Sequence, residues 1–216
     1  MREAFHEQLQ AILDELADMS DQVRVAVERA TEALMTGDGT LAEEVISADA
    51  DVDRAREEVE EQAFMLLSLQ QPVASDLRVI VAALRIVTEL ERMGDLAVHV
   101  AKIARLRVLE TAVPETARPL VEGMARVAIE MVTEVGGIIR HRDVRAALQL
   151  PETDQQIDHL RRRSFSELLA KDWPHGVEAA VDLALLGRYY ERIADHAVSI
   201  ANRVVFVVTG EQPVSS

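Results

Sequence analysis

Residues 91–101 return one hundred positions later in the chain. Glu91, Arg92, Asp95, Ala97, Val98 and Ala101 recur as Glu191, Arg192, Asp195, Ala197, Val198 and Ala201, and upstream Val81 recurs as Val181. A second block repeats at a shift of 105, pairing Asp49 with Asp154 and Asp53 with Asp158. The five-residue difference between the two shifts falls in the connection between the blocks. A repeat of this length implies two copies of one supersecondary unit, and it constrains the fold more than any composition figure.

The unit reads as helical. Phe5, Leu9, Ile12, Leu13, Met19, Val23, Val27 and Leu34 follow helical spacing, and Gly37-Asp38-Gly39 breaks the pattern. A second helix is predicted from about Leu41 to Leu69, closed by Gln71-Pro72, and a third from Ser75-Asp76 to about Leu109. Ala112-Val113-Pro114 reads as a linker. The pattern then restarts over about 115–141 and 144–171, with Pro151 marking a kink or a restart. After the breaker Asp172-Trp173-Pro174-His175-Gly176, a sixth helix runs to about Val208. The predicted fold is all-α, with six long helices forming two tandem antiparallel three-helix bundles, 1–110 and 111–216, joined end to end.

Composition limits what such a fold does. With 216 residues, 49% of them hydrophobic, the chain can build a large core. It has no cysteine, which excludes disulfides, thiolate metal sites and thiol nucleophiles. A net charge of −15 and seven aromatic residues argue against nucleic acid as a partner. The N-terminus lacks an apolar signal segment, and Val79–Leu90, interrupted by Arg85, is too short to span a bilayer. A cytoplasmic protein without direct membrane insertion is expected. The acidity is uneven: residues 1–110 hold 23 acids against 11 Lys and Arg, whereas 111–216 hold 15 against 12.

Four segments carry acid-x-x-x-acid: Asp49 with Asp53, Glu91 with Asp95, Asp154 with Asp158, and Glu191 with Asp195. A spacing of four puts both carboxylates on one helix face, where like charges repel and a bound cation reverses the sign. One such pair in a chain with 38 acids means little. Here the same two pairs occur in both halves. Glu91 continues the seven-residue series Leu77, Leu84, Val98, and Glu191 continues Val177, Ala184, Val198, so each acid lines up with apolar neighbours. A charge there needs a partner or a metal. Arg92 and Arg192 are the structural alternative to metal. Hard oxygen ligands suit Mg²⁺, Mn²⁺, Ca²⁺ or iron. His99 extends the Glu91–Asp95 face and His196 adjoins Asp195, although a half-exposed helix histidine is the simpler reading of either.

The remaining features have plainer readings. The acidic run Asp49–Glu61 reads as a solvated face, Arg161-Arg162-Arg163 as a surface cluster balancing nearby acids, and Met65 with Leu66, Leu67 and Leu69 as core. Trp173 reads as a cap on the second bundle or an interface anchor.

Glu91-Arg-Met-Gly-Asp-Leu-Ala97 and Glu191-Arg-Ile-Ala-Asp-His-Ala197 resemble the repeated signature of the PhoU family of phosphate-specific transport accessory proteins. Arg2, Phe5 and Leu9, the two Asp pairs, and the closing Val207-Val208-Thr209-Gly210-Glu211 extend the likeness over the whole chain. The resemblance implies two three-helix bundles related by a pseudo-twofold. It also implies a non-enzymatic negative regulator of the phosphate-starvation response and of phosphate uptake. Such a protein couples the ATPase subunit of the phosphate ABC transporter to a sensor histidine kinase, commonly as a homodimer, held at the inner membrane only through its partners. By the same resemblance, Asp49, Asp53, Glu91, Asp95, Asp154, Asp158, Glu191 and Asp195 are expected to bind divalent or trivalent metal ions, with iron clusters among them. The residues alone leave two other readings open: a metal store or metal-dependent hydrolase, and a metal-free interaction module whose acids form salt bridges.

Overall fold

A computed structural model describes residues 2–70, 72, 74–108 and 112–211. These residues form six helices: α1 (Arg2–Thr36), α2 (Gly39–Gln70), α3 (Ala74–Leu106), α4 (Arg118–His141), α5 (Val144–Leu168) and α6 (Gly176–Thr209). No strand occurs among the described residues. No helix among them is long and apolar enough to cross a membrane.

The breaks have local causes that repeat. Gly37, at φ +70°, ends α1 in the left-handed region. Asp38 then caps α2, its Oδ1 accepting from the amides of Thr40 (2.9 Å) and Leu41 (3.0 Å). At the corresponding turn of the second half, Arg142 takes the left-handed conformation (φ 51°), and Asp143 Oδ1 accepts from Arg145 N and Ala146 N. Asp38 and Asp143 are 105 apart, the same shift that relates the carboxylate pairs. Pro151 lies inside an unbroken α5, so it does not restart the helix. The predicted ends near Gln71 and Leu109 lie outside the described residues.

The two helix triplets do not join end to end as the sequence suggested; they lie side by side. Along α1 and α4, Arg142 bonds Gln10, Ser20 Oγ donates to the Val132 carbonyl, and Arg118 reaches the Met35 carbonyl. That sequence of contacts is antiparallel and spans most of both helices. α3 and α6 pair in the same sense: Glu89 meets Ser199, His99 meets Tyr189, and Arg107 meets Asp182 and Glu178. The reason is apolar area. One continuous core runs from Phe5 on α1 through Leu90 and Met93 on α3 to Met124, Met131 and Ile193 in the second half. At roughly 25 cal/mol per Å² of apolar surface removed from water, leaving the flanks of α1 and α3 exposed is costly. The linker is part of this core too, with Ala112 and Val113 buried.

Two smaller expectations need correction or completion. Leu66 is buried, but Met65 is 48% exposed beside Phe64 at 61%, so this end of α2 is not core throughout. Trp173 is half-buried against the core, and its Nε1 donates to the Gly176 carbonyl at 2.8 Å, which makes it the cap of the second triplet.

Candidate functional site

The four acid pairs assemble into two quartets, one in the α2/α3 groove and one in the α5/α6 groove. In the first, α2 presents Asp49 and Asp53, and α3 presents Glu91 and Asp95. Gly94 sets the approach of the helices: a Cβ there would lie 3.3 Å from Val52 Cγ1 and 3.8 Å from Asp49 Oδ1. The carboxylates feel one another across the groove. Burial, then Asp95, then Asp53 push the Asp49 carboxyl above its ordinary range, against the pull of Lys102 and His99. Burial and Asp95 raise Glu91, with Arg56 and Arg92 opposing.

In the second quartet, burial and then Asp195, Asp158 and Glu191 push the Asp154 carboxyl up to about 6. Burial and then Glu191 raise Asp195, and Arg188 pulls it back. In each half the acids of the two helices thus lie near enough to raise one another's carboxyl values across the groove.

The quartets differ in one respect that sequence reading did not find. Glu191 is buried at 7% exposure and is held between two guanidiniums. Arg161 Nε stands 3.0 Å from Oε1, at ion-pair distance without hydrogen-bond alignment, and Arg188 Nη1 bonds Oε2. Among the described residues Glu191 is the one carboxylate of the eight in a contact ion pair. Arg192, one residue further along and so turned about 100° round the helix, does not take that place. Arg161 was read as part of a surface cluster, yet it stands seven residues after Asp154 and thus on the same face of α5. Arg188 stands three residues before Glu191, one turn back on α6. Its counterpart one hundred residues earlier is Thr88. Arg56, the counterpart of Arg161, pairs along its own helix with Glu60 at 3.4 Å and leaves Glu91 without a contact cation.

The two histidines also separate. His99 is exposed and sets its ring edge on Tyr189, with centroids 5.3 Å apart. His196 turns away from the carboxylates: its Nδ1 is 2.7 Å from Glu89 Oε2, and the same carboxylate accepts from Ser199 and Arg203.

As donor sets, both quartets offer only hard oxygen at the groove, which suits Mg²⁺, Mn²⁺, Ca²⁺ or ferric iron over softer ions. The first has four carboxylates, two of them raised by burial and mutual repulsion, and no contact guanidinium among the described residues. The second offers three free carboxylates and a fourth already neutralised. Among the described residues no three Asp, Glu or His side chains are gathered tightly enough to enclose an ion, so binding requires the side chains to turn inward.

The sequence profile of the PhoU domain matches this chain twice, over residues 16–104 and 121–204. The phosphate-specific transport system accessory protein PhoU homolog 2 of Mycobacterium tuberculosis is 46% identical over 99% of this chain and 100% of its own length. The homolog of Rhizobium meliloti is 32% identical, covering 97% and 89%. The crystal structure of PhoU from Pseudomonas aeruginosa superposes with a TM-score of 0.89 at 29% identity, covering 96% of this chain and all of that one. Both copies of the repeat, and so both carboxylate quartets, lie within the profile matches, and the chain belongs to the PhoU family.

Proposed function

We propose that this protein is an accessory regulator of a phosphate-specific transport system. It reports transporter state to a sensor histidine kinase and restrains phosphate uptake and the starvation response when phosphate is plentiful. The observation that carries this reading is the likeness to named accessory proteins along nearly the full length of the chain, in both repeats. An adaptor suits the fold. Six long helices with a continuous core offer large outer faces, and the acidic first half gives a field that steers basic partner surfaces. The test is a chromosomal deletion with a starvation-promoter reporter in high phosphate. The reporter is expected to turn on and to be silenced by the restored gene; a reporter that stays off overturns the negative role. Co-purification with the transporter ATPase subunit and with the kinase tests the two contacts separately.

Within this reading the quartets are metal sites that shape the docking surface. Asp49, Asp53, Glu91 and Asp95 would hold one group, and Asp154, Asp158 and Asp195 the other. A bound cation supplies positive charge that neutralises the carboxylates and ties α2 to α3, or α5 to α6. Arg161 and Arg188 hold Glu191 in place whether or not metal is present. Elemental analysis of untagged protein checks this, and alanine at Glu91 and Asp95 together is expected to lower the metal content.

A further inference from the structure

The seam between the first half of α3 and the last half of α6 opens into a groove of about 410 Å³. Three arginines line it, Arg78, Arg85 and Arg203, beside an apolar wall of Leu77, Val81 and Phe206. In a chain of net charge −15 this is an unusual concentration of cations. Arg78 and Arg85 make no ion pair among the described residues, whereas Arg203 Nη2 donates to Glu89 at 2.8 Å. Arg78 Nε and Arg203 Nε are both shielded from solvent and lack a hydrogen-bond partner. The guanidinium of Arg78 lies at the carboxyl end of α6, where a Cβ on Gly210 would stand 3.9 Å away, so it meets at most the partial charge of a helix terminus.

The internal repeat shows that the fold does not require these arginines. At the pseudo-equivalent positions one hundred residues away, Arg78 becomes Glu178, Arg85 becomes Leu185 and Arg203 corresponds to Ile103. The apolar wall is retained: Leu77 and Val81 correspond to Val177 and Val181, and Phe206 corresponds to Leu106. The helix pairing is the same at both places, but the charge differs: the equivalent groove holds Arg107 paired with Glu178 and Asp182, whereas Arg78 and Arg85 have no contact acid among the described residues. Guanidinium forks match phosphate oxygens bidentately, and the volume lies in the range of small-molecule sites. Leu77 and Val81 are 41% and 38% exposed, which leaves apolar surface open next to the cations.

We propose that this α3/α6 groove binds an organic phosphoanion of nucleotide size, with its phosphates on Arg78, Arg85 and Arg203 and its apolar part against Leu77, Val81 and Phe206. The site is separate from the carboxylate quartets, so it stands or falls independently of the metal reading.

The test is calorimetric titration of the full chain with ATP, ADP and pyrophosphate, in chelator so that no cation bridges the nucleotides to the quartets. The variant R78E/R85L removes both unpaired cations; Leu185 stands for Arg85 in the repeat copy, whereas Glu178 there is paired with Arg107, whose counterpart is Val207. ATP or ADP is expected to bind the native chain, at least tenfold more tightly than pyrophosphate, and at least tenfold more weakly to the variant. The melting temperature of R85L without ligand should match the native value, because Arg85 is exposed. Binding that survives R78E/R85L, or no heat and no thermal shift with any of the three anions, overturns the site. Pyrophosphate binding as tightly as ATP overturns the role of the apolar wall. If R78E/R85L is unstable, R85L alone carries the comparison, because Arg85 is exposed and makes no ion pair among the described residues.

Discussion

At the scale of single residues, the half-buried Glu89 and the buried Glu191 decide how the protein responds to pH and substitution. Glu89 sits between the halves, and His196, Arg203 and Ser199 hold its carboxyl down at about 2. A depressed folded value contributes stability that is complete above the ordinary carboxylate range and is lost as pH falls from about 4.5 toward about 2. E89Q is therefore expected to lower the urea midpoint at neutral pH. Its curve should converge on the native one as pH falls through that window. Parallel curves would show that Glu89 contributes nothing across the seam. Glu191 is the second case. R161A removes one of its two guanidiniums and leaves a buried carboxylate half compensated, which should cost about 2 kcal/mol by urea denaturation.

At the scale of elements, helix ends and helix pairs carry separable energies. Asp38 and Asp143 do the same work at the starts of α2 and α5, and each substitution to alanine should cost about 1 kcal/mol in chemical denaturation, with the two adding. On the proposed metal reading, the α5/α6 pair links metal binding to pH. The Asp154 carboxyl is pushed up to about 6, so its contribution in the unliganded protein favours stability when protonated and is lost as pH rises through about 6. A divalent or trivalent cation reverses that cost. Its effect on melting temperature should be largest above pH 6 and fade below it, as protons compete for the same oxygens. Stabilisation that is flat across this range would place the ion elsewhere. The α2/α3 pair has no contact guanidinium on its four acids, and it should hold metal more tightly than α5/α6. D49A/D53A and D154A/D158A, compared by equilibrium dialysis, test that order.

At the scale of the whole molecule, the two triplets behave as one body. α1 is packed along α4, α3 along α6, and a single apolar core runs through both. Arg107 adds a charged clasp, bonding Asp182 at 2.8 Å and Glu178 at 2.9 Å. Unfolding in urea is expected to be one transition, with fluorescence of Trp173 in the second half and circular dichroism of all six helices coinciding. A fragment of residues 1–110 would expose the faces of α1 and α3 that the second triplet covers, and it should be aggregated or only partly folded. Two resolved transitions would instead mean that the interface is weaker than either half.

The sequence by itself determined the helices, the approximate places where they break, the two-fold repetition and the placing of each acid pair on one helix face. Each of these is set locally along one chain: 3.6 residues per turn, turn-forming residues at the breaks, and carboxylates four apart. It did not determine that the triplets lie side by side, because apolar faces do not name the helix that covers them. Nor did it reveal which cation meets which acid. Arg161 and Arg188 reach Glu191 from two different helices, whereas the nearer Arg192 does not, and only the approach of α5 to α6 fixes that. The cationic groove is of the same kind. Arg78, Arg85 and Arg203 are scattered through the chain, and the antiparallel pairing of α3 with α6 brings them to one wall.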